Sequence, residues 1–263
     1  MAQVHPSAIV DPRAELAADV TVGPYSVIGP RVRVGSGTQI ASHVVLEGNT
    51  RIGSGNRIFS FAAVGTEPQD KKYAGEDTEL VIGDGNTIRE YCLINTGTVQ
   101  GGNITTIGSG NWIMGYAHVA HDCTVGSNTI IANGVQLAGH VRVDDWAIIG
   151  GTSAVHQFVR VGAHTMCGGG TILLQDLPPF IMCNGNPAKP YGVHVEGLKR
   201  RQFSAESIAA LRRAYKIVYR ENLPLAEARV ALDALIAEEP EQSAAPLRAF
   251  AEFLANPGRG LLR

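Results

Sequence analysis

The chain of 263 residues is long enough to bury one long domain or two, and its 22 Lys and Arg against 24 Asp and Glu leave a formal charge of −2 and a pI near 6.4. That excludes the basic surplus of a general nucleic-acid binder, and no apolar run approaches the ~20 residues that cross a bilayer. Cys92, Cys123, Cys167 and Cys183 form no CxxC pair, so free thiols rather than a disulfide framework are expected.

In chain order the first signal is an aliphatic residue at every sixth position: Val4, Val10, Leu16, Val22, Ile28, Val34, Ile40, Leu46, Ile52, Ile58 and Val64. A period of six fits neither an α-helix nor a lone strand. It fits a short strand, a corner and another short strand, three sides closing one triangular coil whose large aliphatics point inward. Small residues four places later (Ala8, Ala14, Ser26, Thr38, Asn56) suit the corners, and the 31 glycines, without a collagen-like triplet, also ask for many tight turns. Met1–His5 carries neither the charged nor the apolar region of a signal peptide, so the expected location is cytoplasmic.

The ladder pauses after Val64 and resumes in phase at Ile82, Ile88 and Ile94. Residues 66–80 are therefore expected to leave the coil as a polar loop that replaces or displaces one turn. A second excursion, 96–106, explains why Ile94 and Ile107 stand one residue out of phase. Solenoid insertions tend to map to a binding side.

From Ile107 to Val161 the ladder runs without a miss and holds four of the eight histidines, His118, His121, His140 and His156. His140 lies close to three hexads beyond His121, which puts the two on similar corners of neighbouring coils. The repeat fades after Cys167 and Leu173, and Pro178-Pro179 marks the end of the regular coil. Helical spacing takes over from about Glu196: Ser204 can cap a helix through Val218, with further helices over 226–237 and 246–255. The expected domains are a coil over 1–190 and a helical domain over 191–263.

The unbroken hexads resemble the left-handed parallel β-helix of the hexapeptide-repeat acyltransferases. Four segments narrow the resemblance: Gln69-Asp70-Lys71-Lys72-Tyr73-Ala74-Gly75, Ala117-His118-Val119-Ala120-His121-Asp122-Cys123, Ala154-Val155-His156-Gln157-Phe158 and Glu196-Gly197-Leu198-Lys199-Arg200-Arg201. They are similar, in this order, to the signature segments of the UDP-N-acetylglucosamine 3-O-acyltransferase family. The resemblance covers the whole chain. It implies a cytoplasmic homotrimer, with no cofactor or metal, that moves an (R)-3-hydroxyacyl group from acyl carrier protein to UDP-N-acetylglucosamine in the first step of lipid A synthesis.

Acyl transfer from a thioester to an alcohol needs a base, donors for the oxyanion and a dry groove for the chain. His121 is the candidate base because an imidazole titrates near working pH, and adjacent Asp122 can orient it. Cys123 lacks the sequence context of a nucleophile. By resemblance, the Gly139 N–H serves the oxyanion, and His118, His140, His156 and Gln157 bind substrate or acyl donor. Gln69, Asp70 and Lys72 meet the sugar and its phosphates, and Glu196, Arg200 and Arg201 meet the uridine and diphosphate, with His194 where the family usually has Asn. Gly169 matches the family's chain-length position, with Ile172, Leu173 and Leu174 beside it. Lys199, Arg200, Arg201, Arg212, Arg213 and Arg220 form either a patch for the acidic carrier protein or a solvated helix face. Two other classes fit a histidine-rich coil: a zinc enzyme like the β-helical carbonic anhydrases, and a non-catalytic scaffold.

Overall fold

Each hexad folds as a two-residue strand and a four-residue corner. In Val27–Ile28, Arg33–Val34 and Gln39–Ile40 the first residue is exposed and the second buried, because successive side chains of a strand point to opposite faces. This computed structural model describes residues 2–256 and 258–263. Successive strands join three parallel sheets in turn. Face A holds 11 strands from Gln3–Val4 onward, face B nine from Ile9–Val10 to Ile172–Leu173, and face C eight from Glu15–Leu16 to Arg160–Val161. The result is a left-handed parallel β-helix of hexads followed by helices.

From Val22 to Leu173 every ladder position is buried, so one aliphatic column fills the prism. Val4, Val10 and Leu16 stay partly open, since the first coil has no coil beneath it. Some of the small polar residues expected at corners turn inward and carry a second ladder. The side-chain oxygens of Asn56, Asn86 and Asn111 accept the backbone N–H of Asn86 (2.9 Å), Asn111 (2.8 Å) and Thr129 (2.7 Å) in turn. Backbone donors inside the coil are thereby satisfied.

The first excursion is an insertion, not a replaced or displaced turn. Neighbouring coils pair residues three hexads apart, as in Val45 with Ala63. Across the loop Asn49 pairs directly with Glu79, and across the second excursion Glu79 pairs directly with Ile104, both well beyond that spacing. Pairing at the roots keeps the ladder continuous while the surplus chain is expelled sideways. Both insertions leave where face B passes to face C, so they share one edge of the prism.

Face A also continues past Pro178-Pro179. Ile181–Asn184 pairs in parallel with Met166–Cys167, and Lys189–Val193 returns against it as an antiparallel hairpin. Four helices follow: α1 (Val195–Arg200), α2 (Ala205–Arg220), α3 (Leu225–Glu238) and α4 (Glu241–Ala255). Ser204 caps α2 by accepting the Ser207 N–H at 3.1 Å. Helix α4 starts before Pro246 rather than at it. The carbonyl that Pro246 cannot pair, that of Gln242, accepts the Ser207 hydroxyl at 3.1 Å, which removes the usual cost of an internal proline.

Candidate active site

The edge between faces B and C carries His121, His140 and His156 on three successive coils. Its sharp bend needs a left-handed residue on each coil, filled by Asp122 (φ 59°), His140 (φ 62°) and Phe158 (φ 65°). Asp and His tolerate this region better than most residues, and here it turns the Asp122 carboxylate back across the edge.

The His121 Nδ1–H donates to Asp122 Oδ2 at 2.7 Å. The Asp122 side chain has no solvent exposure and that of His121 is 14% exposed. The second excursion completes the carboxylate's shell, with the Thr98 N–H reaching Oδ1 at 2.7 Å and the Thr98 hydroxyl reaching Oδ2 at 2.6 Å. The Asp122 N–H donates to Thr105 Oγ1 at 2.8 Å. With Nδ1 committed as donor, His121 keeps its lone pair on Nε2, the arrangement of a general base.

Gly139 lies under this ring, and a Cβ there would stand 2.5 Å from Cε1 and 2.7 Å from Nε2 of His121. Among the described residues no hydrogen bond uses the Gly139 N–H. Cys123, next to the dyad, faces the core instead, donating to the Ala138 carbonyl at 3.2 Å, and burial pushes its thiol up to about 12. It is not a thiolate at neutral pH.

The remaining histidines are wired differently. His118 Nε2–H donates to Asn95 Oδ1 at 2.9 Å, a direction fixed by the Asn95 amide donating to Thr66 Oγ1 and the Glu67 carbonyl, both at 2.8 Å. His140 meets His121 edge-on at 5.1 Å and stacks on Phe158 at 4.4 Å, its Nε2 lying 3.7 Å from Asp122 Oδ2. Burial holds both His118 and His140 below the ordinary imidazole value. His156 Nδ1–H donates to the Gln157 carbonyl at 3.1 Å, and Gln157 is exposed. His121, Asp122 and His140 bring one ligand atom each within 4.8 Å of one another, but Asp122 is already engaged by Thr98 and His121, and His118 and His156 turn to other partners.

The first loop leans over the same edge. Asp70 is close enough for its charge to act on His140. It also caps the Lys72 N–H at 3.0 Å, leaving the ammonium in solvent. Gln69, with Arg31, Tyr73 and Asn95, lines a cavity of about 570 Å³ beneath the loop.

Four expected site residues lie elsewhere. Glu196 and Arg200 on α1 are exposed beside the edge between faces C and A. Arg201 is tied there by a 2.9 Å bond to the Trp146 carbonyl, with its guanidinium 5.3 Å from the Trp146 ring. His194 is 5% exposed, donates Nδ1–H to the His164 carbonyl at 3.1 Å, and is held below the ordinary imidazole value by burial. Leu173 is misassigned to the acyl groove: it is the inward residue of its strand and 1% exposed. Ile172 faces out, in register with Ala154, Gln136 and His118 on face B, while Leu174 is exposed and Gly169 sits at the edge of that face nearest face A. Sequence reasoning missed Thr98, Thr105 and Asn95. Their signal was the phase slip at the second excursion, which falls on the edge that carries the histidines.

A coil of hexads bearing a His-Asp dyad with no thiolate defines a transferase of the hexapeptide class. Sequence profiles agree, with bacterial transferase hexapeptide repeats over 104–139 and UDP-N-acetylglucosamine O-acyltransferase domain 2 over 176–262. The chain is 57% identical to the acyl-(acyl-carrier-protein)-UDP-N-acetylglucosamine O-acyltransferase of Thiobacillus denitrificans and 55% identical to that of Herminiimonas arsenicoxydans, covering 100% of each chain. The UDP-N-acetylglucosamine acyltransferase of Francisella novicida superposes with a TM-score of 0.95 at 38% identity, over 99% of this chain and 94% of that one. The O-acyltransferase of Moraxella catarrhalis does so with 0.93 at 42%, over 99% of both. The chain belongs to the acyl-(acyl-carrier-protein)-UDP-N-acetylglucosamine O-acyltransferase family.

Proposed function

We propose that the protein transfers an (R)-3-hydroxyacyl group from acyl carrier protein to the 3-hydroxyl of UDP-N-acetylglucosamine, the step that opens lipid A synthesis, and that His121 is the base. The observation that carries the reading is the 2.7 Å bond from His121 Nδ1 to Asp122, which leaves the Nε2 lone pair free on a ring packed against Gly139.

The sugar hydroxyl gives its proton to Nε2 as its oxygen bonds to the thioester carbon. Asp122 stabilises the imidazolium, and the Gly139 N–H donates to the oxyanion. Collapse breaks the carbon–sulfur bond, and the leaving thiolate takes the proton back from His121. No bond to the enzyme forms, in keeping with a Cys123 thiol raised to about 12.

Asp70, Lys72, Gln69, His118, His140, His156 and Gln157 hold the acceptor and donor around this point. The acyl chain lies along face B past Gln136 and Ala154 toward Gly169 and Ile172, the relatively open glycine favouring a longer chain by volume. Glu196, Arg200 and Arg201 stand at another edge, so their contacts to the nucleotide are made to the dyad of a second copy, in a cyclic trimer. Arg213 pairs with Glu239, Lys199 pairs with Glu196 and Arg220 covers Tyr215, so Arg212 is left for the acidic carrier. The described residues include no helix long and apolar enough to cross a membrane, which suits a cytoplasmic enzyme.

Purified protein given UDP-N-acetylglucosamine and a ladder of 3-hydroxyacyl carrier proteins is expected to yield the 3-O-acyl sugar nucleotide by mass spectrometry. A folded His121→Ala variant should yield essentially none. Undiminished acyl transfer by that variant, or a stable acyl adduct on Cys123, would sink the reading.

A further inference from the structure

We propose that Thr98, carried in by the second excursion, is a positioning residue for the dyad, setting both the geometry and the basicity of His121 through Asp122. The inference rests on His121 being the base.

Thr98 is 1% exposed, and among the described residues its only charged partner is a carboxylate with no solvent exposure. It gives Asp122 two donors, the N–H on Oδ1 (2.7 Å) and the hydroxyl on Oδ2 (2.6 Å). Oδ2 is the same atom that receives the His121 Nδ1–H. The hydroxyl therefore shares out the negative charge that the imidazolium would otherwise feel in full. The strand before the loop keeps its place in the ladder, so the detour at Gly97–Asn103 has a local consequence: it delivers a hydroxyl to a carboxylate that water cannot reach. Gly101 in the same loop packs so closely that a Cβ there would collide with the Asp122 carboxylate carbon. His118 and His140 both feel the His121 charge, and His140 meets its ring edge-on at 5.1 Å with Asp70 acting on it in turn. Neither His118 nor His140 donates to the Asp122 carboxylate within hydrogen-bond distance.

Removing the hydroxyl has two consequences of predictable sign. The carboxylate loses one of its fixing donors, so the His121 ring is held less firmly. The charge on Oδ2 is also less spread, so the protonated imidazole is favoured and the base titrates higher.

The test is kcat, both KM values and the pH profile of kcat/KM for Thr98→Val, Thr98→Ser and His121→Ala, with melting temperatures alongside. Thr98→Val is expected to lower kcat by about 10- to 100-fold, the usual cost of a hydrogen bond to a charged group. Both KM values should change little, and the acidic limb of the profile should move to higher pH. Thr98→Ser should restore most of the rate and the original limb. If the valine variant does not fold, Gly101→Ala, which displaces the same carboxylate while leaving the hydroxyl, should lower kcat in the same way. Full activity of Thr98→Val beside a dead His121→Ala overturns this inference alone. An active His121→Ala overturns the assignment of the base. Equal losses in the valine and serine variants with the limb unmoved reduce Thr98 to a structural role and also overturn the inference.

Discussion

The imidazole of His121 packs against the Cα of Gly139 on the next coil, with no room between them for a methyl group. Because a Cβ at 139 would stand 2.5 Å from the ring, and the His121 carbonyl already accepts the His140 N–H at 3.0 Å, the backbone cannot retreat and the ring must. Gly139→Ala is expected to break the bond to Asp122 and cost about 100-fold or more in kcat, the order seen when a catalytic group is displaced by an ångström. The melting temperature should change by only a few degrees. Steady-state kinetics at saturating substrates, with a thermal melt, check both; near-normal kcat would mean that the ring does not depend on this contact.

The edge between faces C and A carries a pH liability. His164 lies between Trp146 and Phe180, with Phe203 edge-on, and burial, then the Arg201 charge, hold it down to about 4. His194 beside it is lowered chiefly by burial too, with the Arg201 and Arg200 charges adding to it. Between the ordinary value of 6.5 and about 4, the unfolded chain takes up protons that the folded chain refuses. Stability is therefore complete above pH 6.5 and is lost as the pH falls toward 4. The melting temperature should drop over that window, and His164→Phe, which keeps the stack, should flatten part of the drop. An unchanged slope in that variant would move the liability elsewhere.

How much of this was legible before any coordinates follows from the kind of signal each part leaves. The ladder keeps one period through nearly the whole coil, so three-sided winding and the placing of His121 and His140 on similar corners of neighbouring coils could be read from spacing. The loops were visible only as gaps. Whether the gap between Val64 and Ile82 is a replaced coil or an insertion depends on which strands pair across it, and hexad phase is blind to that. Thr98 escaped for a related reason: its partner Asp122 lies on the next coil and is brought to it by the path of an irregular loop. Leu173 was misplaced because signature matching assigns residues to a function, whereas exposure is decided by the fold. For Leu173 the inward phase was already in the sequence.

Asp176 fastens the helical tail to the last coil. Its carboxylate has no exposure and accepts the Arg160 N–H at 2.9 Å, Arg160 Nε at 3.0 Å and the Gly258 N–H at 2.8 Å, while the Arg160 guanidinium stacks 4.1 Å from the Phe253 ring on α4. Removing the buried carboxylate leaves two backbone N–H groups and a partly exposed guanidinium without their acceptor, at a cost of about 1–3 kcal/mol. Asp176→Ala is expected to lose that much in chemical denaturation, with the tail becoming protease-sensitive ahead of the coil. Loss below about 1 kcal/mol would mean that the tail is held by its apolar contacts alone.

His121 and Glu196 belong to different edges of one prism, so if both serve one reaction they must come from different copies. His121→Ala and Glu196→Ala/Arg200→Ala proteins, each nearly inactive by itself, should then complement. In a cyclic trimer each mixed ring has one junction where an intact dyad meets an intact tail, so random equimolar reassembly restores roughly a quarter of the wild-type sites. The measurement is acyl transfer after the two proteins are unfolded, mixed and refolded together, against each refolded alone. Recovery near a quarter supports sites shared between copies. If the mixture is no more active than its parts while the tail variant alone is dead, the tail acts within its own chain and the shared site is wrong.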